Sequence, residues 1–282
     1  MPEAGASAGA RSATEWRHRD GPAAPVETQL AVETPVALEY NGISHAVMLA
    51  TPCDLEDFAL GFSLGEGILD RAGDLYGVEA SHAAGGITLS LDIAAGAFAR
   101  LKERRRSLVG RTGCGICGTE SLDQVLRPLA ALPAPPWRLR AAALAMATAA
   151  LPGLQPLQRL TGATHGAAWC APDGAILHVR EDVGRHNALD KLIGALVRAG
   201  VASDQGFALI TSRASVEMVQ KAASAGIALL AAVSGPTTLA VRTAEQLGVT
   251  LIGFARGPNF SVYTHRDRLD DGIGSLRPAG PG

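Results

Sequence analysis

The stretch that most constrains the fold is the last third of the chain, where short apolar runs alternate with amphipathic segments. Residues 207–211, 227–233 and 249–254 are short runs dominated by aliphatic and small apolar residues. Such runs read as strands buried on both faces. Between them lie 214–225 and 236–247, which read as helices. Strand–helix–strand alternation calls for crossover connections, a largely parallel sheet and helical layers on both of its faces. Upstream, a helix from about His186 presents Leu189, Leu192, Ile193, Leu196 and Val197, and Gly200 is placed to end it. Before that helix, 166–170 and 175–179 flank Pro172-Asp173-Gly174, a hairpin signal. The fold class is α/β.

The first half reads differently. Residues 36–40 and 43–48 flank Asn41-Gly42, a pair that accepts the positive φ angles of a type I′ turn. A helix follows from about Asp54, with Leu55, Phe58, Phe62 and Leu69 for its buried face, and 86–93 alternates like a half-buried strand. Thr119 is placed to cap a helix carrying Leu122, Val125, Leu126 and Leu129, and Pro133, Pro135 and Pro136 break the pattern after it. Residues 1–25 lack apolar periodicity and read as a flexible tail, with ordered structure beginning at Pro35. The organisation expected is an N-terminal subdomain over 26–132, an α/β domain over 133–270 and a flexible tail over 271–282.

A formal net charge of −2 provides no general attraction to nucleic acid or anionic lipid, so basic function must be local. No uninterrupted apolar run reaches the roughly 18 residues of a spanning helix, and no signal-peptide apolar region is seen, so neither membrane nor secretion is expected. Four cysteines, Cys53, Cys114, Cys117 and Cys170, are too few for a secreted disulfide scaffold of 282 residues, which points to the cytoplasm.

Two of them carry the chemistry. Cys114 and Cys117 lie in the glycine-rich run Gly110-Arg111-Thr112-Gly113-Cys114-Gly115-Ile116-Cys117-Gly118, just after Lys102-Glu103-Arg104-Arg105-Arg106. A structural zinc site needs about four ligands, and this pair supplies two; Cys53, Cys170, His165 or His186 would have to converge on it. A dithiol oxidoreductase would place the pair at a helix start in its first βαβ unit, which this position does not match. Sulfur transfer needs an accessible thiolate, favoured by nearby cations such as Arg111 or by a helix start near Thr119. Cys53 and Cys170 read as packing residues.

In an open α/β sheet, ligands bind beyond the C-terminal ends of the strands. Here that edge collects Glu181, Asp182, Arg185 and His186 after one strand, and Ser212 and Arg213 after the next. Ser234-Gly235-Pro236-Thr237 follow a third strand, and the stretch from Phe254 to Asn259 follows a fourth. Helix N-termini and arginine forks suit phosphate, while the acidic pair could accept from a base or ribose. A phosphorylated, nucleotide-like ligand is the expectation.

The C-G-x-C-G loop at 114–118 combines with the run E-D-V-G-R-H-N-A-L-D-K at 181–191. With further matching segments at 36–48, 54–68, 101–118, 161–168, 211–221, 237–241 and 254–265, the chain resembles the formate dehydrogenase accessory sulfurtransferase family. The resemblance implies a cytidine-deaminase-like three-layer α/β/α fold with a mixed, largely parallel sheet and an N-terminal β-hairpin/helix subdomain, a homodimer and no permanent metal. It implies a persulfide carrier between a cysteine desulfurase and the molybdenum cofactor in its bis(molybdopterin guanine dinucleotide) form, serving formate dehydrogenase. Cys114 would bear the persulfide and Cys117 assist. Phe254, Ala255, Arg256, Gly257, Pro258 and Asn259 would belong to the cofactor-binding stretch. The chain has no H-x-E followed by P-C-x-x-C, so deaminase chemistry is not implied. The competing reading is a zinc-stabilised nucleotide-binding chaperone that carries the cofactor without transferring sulfur.

Overall fold

The computed structural model describes residues 8–18, 21–109 and 127–270. It departs first from the expected tail. β1 (Ala10–Arg17) and β2 (Ala24–Ala31) pair as an antiparallel hairpin. Its base is pinned by packing of Gly9 against Leu157, far along the chain.

β3 (Thr34–Tyr40) and β4 (Ile43–Ala50) form the expected hairpin, with Asn41 at φ 47° and Gly42 at φ 79°. The Asn41 carboxamide also donates to Ile93 O at 3.0 Å and accepts from Ile93 N at 2.8 Å, tying the turn to the next strands. α1 (Leu55–Gly65), β5 (Leu75–Ala83), β6 (Gly86–Ile93) and α2 (Ala95–Val109) complete this half, with sheet order β4-β3-β6-β5. Strand alternation turns Val36, Leu38, Tyr40, Ile87, Leu89 and Leu91 onto one face, where Phe58 and Phe62 of α1 cover them. Leu69 joins that core from beyond the helix end.

The second half begins with β7 (Leu139–Arg140), α3 (Ala141–Ala150) and α4 (Pro156–Thr161). Then come β8 (His165–Cys170), β9 (Ile176–Asp182), α5 (Arg185–Arg198), β10 (Phe207–Ile210), α6 (Val216–Ser224) and β11 (Leu229–Ala232). α7 (Thr238–Gln246), β12 (Thr250–Arg256), β13 (Asn259–Val262) and β14 (Leu269–Asp270) finish the chain. Along β10, Ala208 and Ile210 enter the core under α5, α6 and α7, while Phe207 and Leu209 enter the core under α3. The continuous apolar run is therefore two interleaved half-strands, each serving one helical layer.

The sheet order is β13-β12-β11-β10-β8-β9; it is mixed, as expected, but antiparallel pairs outnumber parallel ones, so it is not largely parallel. Only β10–β11 and β11–β12 are parallel; β12–β13, β10–β8 and β8–β9 are antiparallel. The crossovers were read correctly, but hairpins flank them on both sides. Among these hairpins, β13 was not anticipated: Gly257 at φ 54° lets the chain reverse between the paired residues Arg256 and Asn259.

The two halves meet where α1 crosses α5, and glycine makes the crossing possible. A Cβ on Gly61 would lie 1.7 Å from Asp190 O, and one on Gly194 would lie 1.9 Å from Asp57 O. Backbone atoms cannot swing aside as side chains do. Gly61→Ala and Gly194→Ala should each destabilise the protein at the upper end of overpacking costs, about 3 kcal/mol. Urea unfolding midpoints measure this, and midpoints equal to wild type would contradict the close crossing. Ion pairs surround the same seam: Asp57 accepts from Arg180 Nε at 2.8 Å and Arg198 Nη1 at 2.7 Å, and Lys221 Nζ bridges Asp190 and Glu66 at 2.9 and 2.7 Å.

Candidate functional site

Topology places the four loops singled out from the sequence on one edge. β9, β10, β11 and β12 all end there, because β8, antiparallel to both β10 and β9, lets those two run the same way. From the end of β12 to the end of β9 is four inter-strand steps, about 19 Å in all. α5, α6 and α7 start at this edge, so their free N–H groups lie along it.

The acidic pair is committed inward. Glu181 is buried and accepts from Leu157 N at 2.9 Å, Gln158 N at 2.7 Å and the Thr164 hydroxyl at 3.1 Å. It therefore satisfies the free donors at the start of α4. Asp182, fully buried, pairs with Lys191 Nζ at 2.7 Å and accepts from Thr51 N at 2.9 Å. Its other oxygen accepts from Gly184 N at 2.8 Å and Asn187 Nδ2 at 3.0 Å, which fixes the turn into α5. The sequence offered both carboxylates as acceptors for a base or ribose; in the fold these acceptors are occupied by the protein.

The basic groups face the other way. Arg213 and Arg256 are exposed, and Arg185 is half-buried. Arg185 Nε and His186 Nε2 are buried without a hydrogen-bond partner. Burial, and then the Arg185 charge, push His186 and His165 below the usual imidazole range, which favours their neutral forms. Ser212 is buried and donates to Arg213 O at 3.0 Å. Glu217, in the first turn of α6, is the exposed acidic exception on this edge.

The stretch at the end of β12 divides by residue. Phe254 is 50% exposed and sits at φ 54°, a region that non-glycine residues seldom occupy. Its ring lies against Gly235, where a Cβ would come within 2.7 Å of it. Ala255 is buried in the core under α3, so its side chain faces away from the edge. Gly257 N donates to Thr148 Oγ1 at 3.1 Å, while Pro258 and Asn259 are exposed.

Cys114 and Cys117 lie outside the described residues, as do Arg111, Thr119, Leu122, Val125 and Leu126. The other two thiols are described. Cys170 is buried, and burial pushes its pKa up to about 12; burial also raises that of Cys53, which is half-buried. A thiol held protonated is a poor nucleophile. Cys170 should therefore resist Ellman's reagent in the native protein and react only on unfolding; native labelling at the denatured rate would contradict its burial.

Sequence reasoning overlooked Thr51 and Lys191 as the supports of Asp182, and Gln155, Gln158 and Thr164 around the start of β8. The lysine's only signal was its place at the end of the 181–191 run, one turn beyond Asn187.

The FdhD/NarQ family model matches residues 31–270. The sulfur carrier protein FdhD of Variovorax paradoxus is 60% identical over 241 residues, covering 86% of each chain. The protein of the same name from Cupriavidus necator is 56% identical over 262 residues, covering 91% of this chain and 88% of that one. Among solved structures, a crystal structure from Desulfotalea psychrophila, described as a formate dehydrogenase accessory protein, superposes with a TM-score of 0.74. It covers 93% of this chain and 99% of its own at 23% identity, a likeness that concerns the fold.

Proposed function

The chain belongs to the FdhD/NarQ family, and we propose that it takes sulfur from a cysteine desulfurase and delivers it to the bis(molybdopterin guanine dinucleotide) molybdenum cofactor used by formate dehydrogenase. Its close relatedness to named sulfur carriers carries this reading. In the loading step the Cys114 thiolate attacks the outer sulfur of the desulfurase persulfide. The old S–S bond breaks, the desulfurase cysteine leaves as thiolate, and Cys114 holds the new persulfide. Cys117 assists in the same loop.

The basic edge supports a phosphate-rich recipient. Arg185, His186, Ser212, Arg213 and the stretch 254–259 line the nucleotide path in this reading, while Glu181 and Asp182 shape it from behind. Arg213→Ala should weaken GDP binding by about tenfold, the loss of one charge-assisted contact. Calorimetry at fixed ionic strength tests this, and unchanged affinity removes Arg213 from the path. On the same family resemblance, the reading includes a homodimer, a cytoplasmic setting and a cytidine-deaminase-like class for the six-stranded layer.

The function is tested by expressing the chain in a bacterium deprived of its own family member. Formate dehydrogenase activity should return; an inactive enzyme beside well-expressed carrier would refute the role.

A further inference from the structure

Residues 127–132 run without helix or strand past the C-terminal ends of three helices. Pro128 disfavours helical backbone at Arg127, which suits this path. Leu129 and Leu132 pack on the core under α5, α6 and α7, and Leu132 N donates to Leu247 O, just past α7, at 2.9 Å. Arg127 holds the upstream end. Its Nη2 donates to Gly65 O, at the end of α1, and to Ser224 Oγ, at the end of α6, the latter at 2.7 Å. The last carbonyls of a helix lack partners within it and carry the negative end of its dipole, so a guanidinium there meets both needs. Charge favours the same place. Glu66 and Asp190 share the single ammonium of Lys221, at 2.7 and 2.9 Å, and a Cβ on Gly65 would lie 2.9 Å from Asp190 Oδ1. Arg127 supplies a second cation for the second carboxylate. Burial opposes the Glu66 charge, but Lys221 and then Arg127 outweigh it and hold the carboxyl below its usual range.

We infer that Arg127 is a positioning residue for sulfur transfer, a fixed base from which the segment bearing Cys114 and Cys117 extends. Among the described residues after the thiol pair it comes first, and its side chain ties that point of the chain to α1 and α6. Arg127 follows Cys117 by ten residues, and ten residues span at most about 36 Å. Where the base sits therefore bounds where the thiols can be presented. α6 starts at the basic edge and has nine residues, about 13 Å of helix, so that edge lies within the bound. Transfer between two proteins needs the reacting sulfurs aligned and about 3–3.5 Å apart. A base held at two helix ends narrows that search, and releasing it slows the encounter without altering the thiol. This rests on the sulfur-carrier reading above and adds to it the residue that sets where the carrier segment starts.

Single-turnover sulfur uptake from a cysteine desulfurase tests this on wild type, Arg127→Met, Arg127→Lys and Ser224→Ala, each assayed well below its melting midpoint. Alkylation of Cys114 by iodoacetamide, followed by peptide mass, measures the thiol itself in parallel. Arg127→Met keeps the stem and removes donors and charge; it should load about tenfold more slowly than wild type, with alkylation unchanged. Arg127→Lys keeps the charge without the planar fork, and Ser224→Ala removes one of the two acceptors, so both should fall between. A role confined to capping α1 would lower the melting midpoint and leave loading at the wild-type rate, and that result overturns the inference. Alkylation that slows as much as loading also overturns it, since Arg127 would then act on the thiol and not on its placement. If wild type takes up no sulfur, the carrier reading falls and the inference with it.

Discussion

Replacing Cys114 with alanine is expected to abolish both sulfur uptake from a cysteine desulfurase and activation of formate dehydrogenase. The loss should be complete because the loading step forms a bond to this sulfur, and alanine has nothing to form it with. No other described thiol is suited to take over: Cys170 is buried with its pKa pushed up to about 12, and burial raises that of Cys53. Cys114→Ser should fail as well, since a hydroxyl is not ionised near neutral pH and cannot hold a persulfide. Cys117→Ala separates the two members of the loop, with a reduced but measurable rate expected for an assisting group. Desulfurase-driven labelling with radioactive cysteine sulfur reads the first step, and formate dehydrogenase activity reads the whole sequence. Normal labelling of Cys114→Ala would move the carrier role elsewhere in the chain.

The largest effect on stability is expected at Lys191. Its side chain and that of Asp182 are fully buried, with Nζ and Oδ2 2.7 Å apart, and Nζ also donates to Thr51 O at 2.9 Å. Lys191→Met keeps most of the buried stem and removes the charge, leaving the Asp182 carboxylate in the interior without its counter-ion. Breaking such a pair on one side costs about 3–5 kcal/mol. For a chain of this size that corresponds to a fall of roughly 10 °C in the thermal midpoint. Circular dichroism melting measures it, and a shift below about 2 °C would mean that the pair contributes little. The same variant should weaken GDP binding, because Asp182 holds the turn from which α5 presents Arg185 and His186.

Features carried by local chemistry were legible in the sequence. Asn41-Gly42 marked its hairpin because few other pairs accept two positive φ angles, and both residues adopt them. The helix of 185–198 was legible from its 3.6-residue period and from Gly200, which sits at φ 65°. Features that depend on distant partners were hidden. The β1–β2 hairpin lies in an Ala- and Thr-containing stretch of weak hydrophobic contrast, and it is held partly through Leu157. The balance of parallel and antiparallel pairs could not be read from the strands, because it depends on β8 sitting between β9 and β10 and pairing antiparallel with both. Glu181 and Asp182 looked available to a ligand because nothing in their own run reveals the donors of Thr51, Leu157, Gln158 and Thr164. The thiol pair was the plainest signal of all, two cysteines three positions apart in a glycine-rich run.

The central claim is that this chain carries sulfur on Cys114. Its most direct test is the intact mass of the purified protein after incubation with a cysteine desulfurase and cysteine. Wild type should gain one sulfur atom that a dithiol reductant removes, and Cys114→Ala should gain none. A wild-type mass that does not change, with zinc bound stoichiometrically at the thiol pair, would contradict the account and leave a nucleotide-binding chaperone in its place.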